Sequence, residues 1–98
     1  MNSKLRSDEV DLLCRAILSL NTVEDTYKFL EDILTAAEIQ SIAQRMAVAQ
    51  MLDDGQTYED IARLTGASSA TISRVKRSLS FGADGYRLVL DRMTVGNP

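Results

Sequence analysis

The stretch Thr57-Tyr58-Glu59-Asp60-Ile61-Ala62-Arg63-Leu64-Thr65-Gly66-Ala67-Ser68-Ser69-Ala70-Thr71-Ile72-Ser73-Arg74-Val75-Lys76-Arg77-Ser78-Leu79 decides the fold. Thr57 opens a helix: its hydroxyl can accept the backbone N–H of Asp60, and acidic Glu59 and Asp60 suit the positive end of the helix dipole. Asp60 holds the capping-box position, where Glu or Gln is usual. Ile61, Ala62 and Leu64 supply an apolar face. Gly66 stands where the chain must leave the helix, because glycine takes a positive φ without a Cβ penalty. A second helix follows, with Ser68 or Ser69 as N-cap and Ile72, Val75 and Leu79 at helical spacing. Small Ala62, Gly66 at the corner and branched Ile72 let two helices approach, turn and fill the angle between them.

Two short helices joined this way make a helix-turn-helix, whose second helix presents its N-terminal side chains to base edges in the major groove. Ser68, Ser69, Ala70 and Thr71 would be those side chains, short groups offering hydroxyls and methyls. Arg74, Lys76 and Arg77 follow, with no acid between Ser68 and Leu79. With Thr57 at the start of the first helix, these eight residues are the candidate DNA contacts. The competing reading is a helical hairpin whose basic side chains are merely solvated. An idle surface helix would more often carry Glu, Lys and Gln at its start.

The 98-residue length indicates one domain, 1–98, whose core is small enough to gain from oligomerisation. At 45% hydrophobic residues with one proline, the composition fits a folded, helix-rich chain. No run is long enough to span a bilayer and no signal-peptide core is present, which predicts a cytoplasmic protein with no membrane partner. One cysteine, Cys14, and no histidine exclude an intrachain disulfide and a Cys/His metal site. Cys14 reads as a small core residue. Without histidine the commonest general base is missing, and the acids of the N-terminal third read as solvated helix faces, so the chain is not expected to be an enzyme. A net charge of −3 argues against an indiscriminate nucleic-acid binder. The distribution is more telling: residues 57–79 hold four basic and two acidic side chains and form the only positive segment, while residues 1–35 hold four and seven.

Taken in order, Met1–Arg6 reads as a short mobile arm. Ser7-Asp8-Glu9 starts a helix with Val10, Leu13, Cys14, Ile17 and Leu18 on one face through about Leu20. Thr22 opens a second, with Val23, Tyr27, Leu30, Ile33 and Leu34 as its stripe. Thr35 with Glu38 is a capping box that starts the longest helix, to about Asp53, apolar over more than one face. Gly55 ends it. Ser80 to Gly85 reads as a loop, Tyr86, Val89, Leu90 and Met93 as a last short helix, and Thr94–Pro98 as a fraying tail. The fold class is all-α, about six helices with no strand.

From Leu34 to Met93 this order of features resembles the tryptophan-repressor family, and more closely its YerC/YecD branch of small bacterial proteins. The residues carrying the resemblance are Leu34-Thr35 with Glu38, Arg45, Gly55, Gly66 through Arg74, and Ser78-Leu79. The resemblance implies an intertwined homodimer in which the N-terminal helices and the last helix of two chains interlace and the helix-turn-helix units lie outside. In that family an amino-acid corepressor lies between the long helix and the reading helix, and Thr35, Arg45, Arg74 and Ser78 match its contacts. The chain departs from the tryptophan-binding pattern after Arg74, where Val75 replaces a glycine that leaves room for the indole. The corepressor is therefore open between tryptophan, another small ligand and none, and Arg45 and Arg74 can equally be phosphate contacts or solvated charges.

Three functions follow. The first is a transcriptional repressor that binds double-stranded DNA at a pseudo-palindromic operator, with reading helices ~34 Å apart. The second is a protein-interaction module with an unused helix-turn-helix, separated from the first by a mobility shift on genomic fragments. The third is a small carboxylate enzyme, which needs a pocket with converging acids.

Overall fold

The structure, a computed structural model, describes residues 3–96. Six α-helices follow a 3₁₀ turn at Ser3–Leu5, with no strand among the described residues. They are α1 (Asp8–Leu18), α2 (Val23–Ile33), α3 (Ala36–Asp53), α4 (Tyr58–Thr65), α5 (Ser69–Phe81) and α6 (Gly85–Gly96). The backbone clusters into two compact units, residues 1–39 and 40–98, with α3 beginning in the first and continuing into the second. The arm expected over Met1–Arg6 contains the 3₁₀ turn, and Met1 and Asn2 lie outside the described residues.

The first unit is made by its caps. The Ser7 hydroxyl accepts from Val10 N (3.1 Å) and the Thr22 hydroxyl from Asp25 N (3.0 Å), each satisfying an orphan donor of the first helical turn. The capping box closes reciprocally: Glu38 N donates to Thr35 Oγ1 (3.1 Å) and Thr35 N to Glu38 Oε1 (2.9 Å). The backbone bond from Thr35, with the hydroxyl's added, holds the Glu38 carboxyl below the usual carboxylate range. Packing is only partial by comparison. No residue of α1 or α2 is buried, and Leu18 and Tyr27 stand 82% and 62% exposed. Cys14, expected in a core, is exposed, as are Leu13, Ile17 and Leu18 of the same stripe of α1.

The second unit holds the core. Val48 and Ala49 of α3, Ile61 of α4, Ala67 of the turn, Ile72 and Val75 of α5 and Leu90 of α6 are all buried, with Met46, Met51, Leu52, Ala62, Leu79 and Tyr86 packed against them. Burying an Ile or Val side chain stabilises by about 1.5–3 kcal/mol, and the largest fully buried side chains of this unit are Ile61, Ile72, Val48 and Val75. Leu64, expected on the buried face of α4, is exposed, because Ile61 and Ala62 already turn that face inward. Ile42 is also exposed, whereas Ile39 is half-buried. The last helix is longer than its sequence pattern. It starts at Gly85, after Asp84 at φ 67°, and continues through Thr94, whose Oγ1 donates to Leu90 O (2.9 Å), as far as Gly96. Asn97 and Pro98 of the expected tail lie outside the described residues.

Candidate nucleic-acid interface and the hollow beside it

Local hydrogen bonds fix α4 and the corner between α4 and α5. Thr57 Oγ1 accepts from Asp60 N (3.1 Å), so the Thr57 hydroxyl is engaged as the α4 N-cap. Gly66 sits at φ 73° and its N–H bonds Ala62 O (2.9 Å), the left-handed stop that a side chain would strain. Thr65 then stitches the turn: its Oγ1 donates to Ile61 O (2.7 Å) and accepts from Ala67 N (3.1 Å). Its carbonyl accepts from Gln44 Nε2 (3.1 Å), which ties the turn to α3. The sequence gives no sign of the Gln44 and Thr65 roles, because a bond across 21 positions has no local signature.

At the start of α5, Ser68 and not Ser69 is the N-cap. Its Oγ accepts from Thr71 N (3.1 Å) and donates to Thr71 Oγ1 (3.1 Å). Ser68, Ser69 and Ala70 are exposed in the first turn, while Thr71 is half-buried. Further along, Arg74, Lys76 and Arg77 are exposed, and among the described residues none of them has an ion-pair partner. Arg63 on α4 differs, pairing with Asp60 at 3.3 Å. The unpartnered cations and the positive end of the α5 dipole therefore act with one sign, which favours phosphate.

Beside this edge lies an open hollow of about 580 Å³. Its α3 side is Ser41, Gln44 and Arg45, and its α5 side includes Thr71, Arg74, Val75 and Ser78. Arg77 and, from α6, Tyr86 complete it. Of the four residues expected at a corepressor site, Arg45, Arg74 and Ser78 come together here. Thr35 does not line the hollow; its hydroxyl caps α3 by accepting from Glu38 N. Val75 lines the hollow while only 2% exposed and packed in the core, so the apolar depth at this point is filled by the protein's own side chain. Ser41, Gln44 and Tyr86 are lining residues that the sequence does not single out.

An ion-pair clamp closes the second unit at its far end. Arg87 of α6 donates in a fork to Asp53, with Nη1 to Oδ1 at 2.7 Å and Nη2 to Oδ2 at 3.1 Å, and through Nε to Asp91 (3.0 Å). The Arg87 hydrogen bonds hold the Asp53 carboxyl below its ordinary value, and the two acids raise the guanidinium's pKa. Among the described residues no three Asp, Glu or Cys side chains converge as a metal-ligand set, and no helix is long and apolar enough to cross a membrane.

Comparison with known proteins gives a consistent picture. A family model described as Trp repressor protein matches residues 8–94. The chain is 54% identical to the uncharacterized protein YerC of Bacillus subtilis over 90 residues, which cover 92% of this chain and 86% of YerC. It is also similar to a solved structure of a candidate Trp repressor from Staphylococcus aureus, at TM-score 0.91 and 50% identity over 97% of this chain and 96% of that one. A TrpR-like protein from Eubacterium eligens superposes equally, with TM-score 0.91 and 52% identity over 95% and 96% of the two chains.

Proposed function

The chain belongs to the Trp repressor family, and from that premise we propose that it is a sequence-specific transcriptional regulator, a repressor that binds a pseudo-palindromic operator as a homodimer. The observation that carries this reading is the outer edge of α5: small exposed side chains at its first turn, followed by three cations with no acidic partner among the described residues. Short groups at a helix N-terminus allow close approach to base edges, and free cations beside them suit the flanking phosphates. In this reading Ser68, Ser69, Ala70 and Thr71 face the groove, Arg74, Lys76 and Arg77 hold the backbone, and Thr57 stands at the entry of α4.

Dimerisation is supported by what the single chain leaves uncovered. No residue of the two eleven-residue helices α1 and α2 is fully buried, although both carry apolar stripes, and a second copy would cover that surface. A dimer also supplies two reading helices for two half-sites one turn of DNA apart, ~34 Å. In this reading operator binding is expected to be independent of tryptophan, because buried Val75 stands where the family's tryptophan-binding pattern has a glycine.

The test is a mobility shift on fragments selected from genomic DNA, followed by substitution. Lys76→Ala and Arg77→Ala weaken binding on every sequence and each lower the salt slope by about one per half-site. Thr71→Ala costs about 1–3 kcal/mol on the preferred site and little on random DNA. A uniform loss on all sequences for Thr71→Ala removes that residue from the groove, and a failure of the wild type to select any fragment removes the DNA reading.

A further inference from the structure

Thr26, Thr65, Thr71 and Thr94 lie within helices, and one of them is bonded unlike the others. Thr26, Thr65 and Thr94 each donate the hydroxyl to the carbonyl one turn back, at 2.8 Å to Thr22 O, 2.7 Å to Ile61 O and 2.9 Å to Leu90 O. That use spends the proton inside the helix. Thr71 makes no such bond among the described residues; its Oγ1 instead accepts from Ser68 Oγ at 3.1 Å. The cause lies at the cap. Ser68 Oγ accepts from Thr71 N (3.1 Å), which leaves the Ser68 proton directed at Thr71 Oγ1. The Ser68 hydroxyl thus both accepts from and donates to Thr71, and the Thr71 proton is left for a partner outside the protein. A hydroxyl that already accepts one bond is polarised into a better donor. Ser68 is exposed and Thr71 half-buried, so the pair stands at the surface of the first turn of α5.

We propose that Ser68 is a positioning residue that fixes the polarity of Thr71, so that Thr71 reads its base as a hydrogen-bond donor to a purine N7. The inference rests on the DNA-binding reading of α5 and goes past it to the atom recognised. In the major groove adenine and guanine offer N7 as an acceptor, whereas cytosine offers only its amino donor. Guanine O6 and thymine O4 also accept, but each already takes an amino proton from its paired base, while N7 takes no part in pairing. Ser68 itself reads no base through its hydroxyl and acts through Thr71.

The experiment takes the operator selected from genomic fragments and replaces its purines one at a time by the 7-deazapurine, in which a C–H stands for N7. Mobility shifts with the wild-type chain are expected to weaken about tenfold at one purine in each half-site. Thr71→Val keeps the shape and loses the hydroxyl. Ser68→Asn keeps an N-cap acceptor and gives the Thr71 hydroxyl an amide oxygen to bond. Both variants bind the natural operator more weakly and no longer distinguish the analogue at that purine, whereas Thr71→Ser still does. A merely structural Ser68 would leave the discrimination intact in Ser68→Asn, because the cap survives. Without DNA, denaturant melts of Ser68→Ala, Thr71→Val and the double variant at one protein concentration are expected to be non-additive, since Thr71→Val removes the side-chain bond and leaves the Thr71 N–H bond to Ser68 in place. Additive melts, or a Ser68→Asn chain as sensitive to the analogue as wild type, overturn the proposal. A wild type that selects an operator yet ignores every 7-deazapurine strikes this inference alone. A wild type that selects no fragment strikes the DNA-binding reading and the inference with it.

Discussion

Val75 is where the core, the reading helix and the hollow meet, so substitution there tests all three. Val75→Gly removes three carbons from a side chain that is 2% exposed. At about 0.8 kcal/mol per buried methylene this costs ~2.4 kcal/mol, and glycine adds ~0.4 kcal/mol beyond valine's own modest helix propensity. Val75→Ala removes two carbons, ~1.6 kcal/mol, and recovers ~0.6 kcal/mol because alanine is the better helix former. The expected destabilisations are therefore ~1 kcal/mol for alanine and ~3 kcal/mol for glycine, plus a cavity term wherever the site fails to collapse. Denaturant melts at one protein concentration measure both. Two variants that melt alike, or that both stay within ~0.5 kcal/mol of wild type, would refute the packed helical position of Val75. The same proteins carry the ligand test. Wild-type operator affinity is expected to ignore millimolar L-tryptophan, while Val75→Gly binds operator more weakly and is partly restored by it. A wild type whose affinity rises tenfold with tryptophan, about 1.4 kcal/mol of coupling, would show that Val75 does not close the indole space.

Three further outcomes are expected. Gly66→Ala places a Cβ with nothing within 4 Å at φ +73°, so its cost is conformational alone, about 1–2 kcal/mol in melts, and a neutral substitution would contradict the left-handed corner. Glu38 and Asp53 have folded-state pKa values below their ordinary 4.5 and 3.8, so their stabilisation is complete above those values and is lost as pH falls through the lowered ones. Acid titrations of Arg87→Gln should accordingly show a shallower acid limb than wild type, and identical limbs would remove the Arg87 bond as the cause of the Asp53 shift. Light scattering at micromolar concentration should give a dimer whose melt shifts on dilution; a monomer with a dilution-independent melt would leave the apolar faces of α1 and α2 unaccounted for.

What the sequence made legible was local chemistry. The caps at Ser7, Thr22, Thr57 and Ser68, the Thr35–Glu38 box and the left-handed Gly66 all act within three or four residues, so the type of side chain at a fixed offset reveals them. What escaped was set by tertiary context. Arg87 finds Asp53 across 34 positions and Gln44 finds Thr65 across 21, and neither spacing carries a pattern. Ala67 of the turn is buried in the core with Ile72, whereas Leu64, equally apolar, is left outside. At the C-terminus, Thr94–Pro98 reads as a fraying tail, but the Thr94 hydroxyl bonds the carbonyl one turn back and the helix continues to Gly96.

The contrast between the two units bears on how such a regulator works. Residues 40–98 own a buried core of their own, assembled from every helix that frames the α4–α5 corner, so the spatial relation of Ser68–Thr71 to Arg74 and Arg77 is fixed by packing within one chain. The two well-capped helices α1 and α2 have no fully buried residue, so they gain little stability from core packing of their own. If a second copy supplies it, the energy of association is concentrated in the N-terminal helices while the reading corner stays preformed. Substitutions at Leu13, Ile17 or Tyr27 would then shift the concentration dependence of DNA binding without changing which bases are preferred, and substitutions at Thr71 would do the reverse. A Leu13→Ala variant that changes base preference at saturating protein would show that the corner is not preformed, and that assembly and reading are one event.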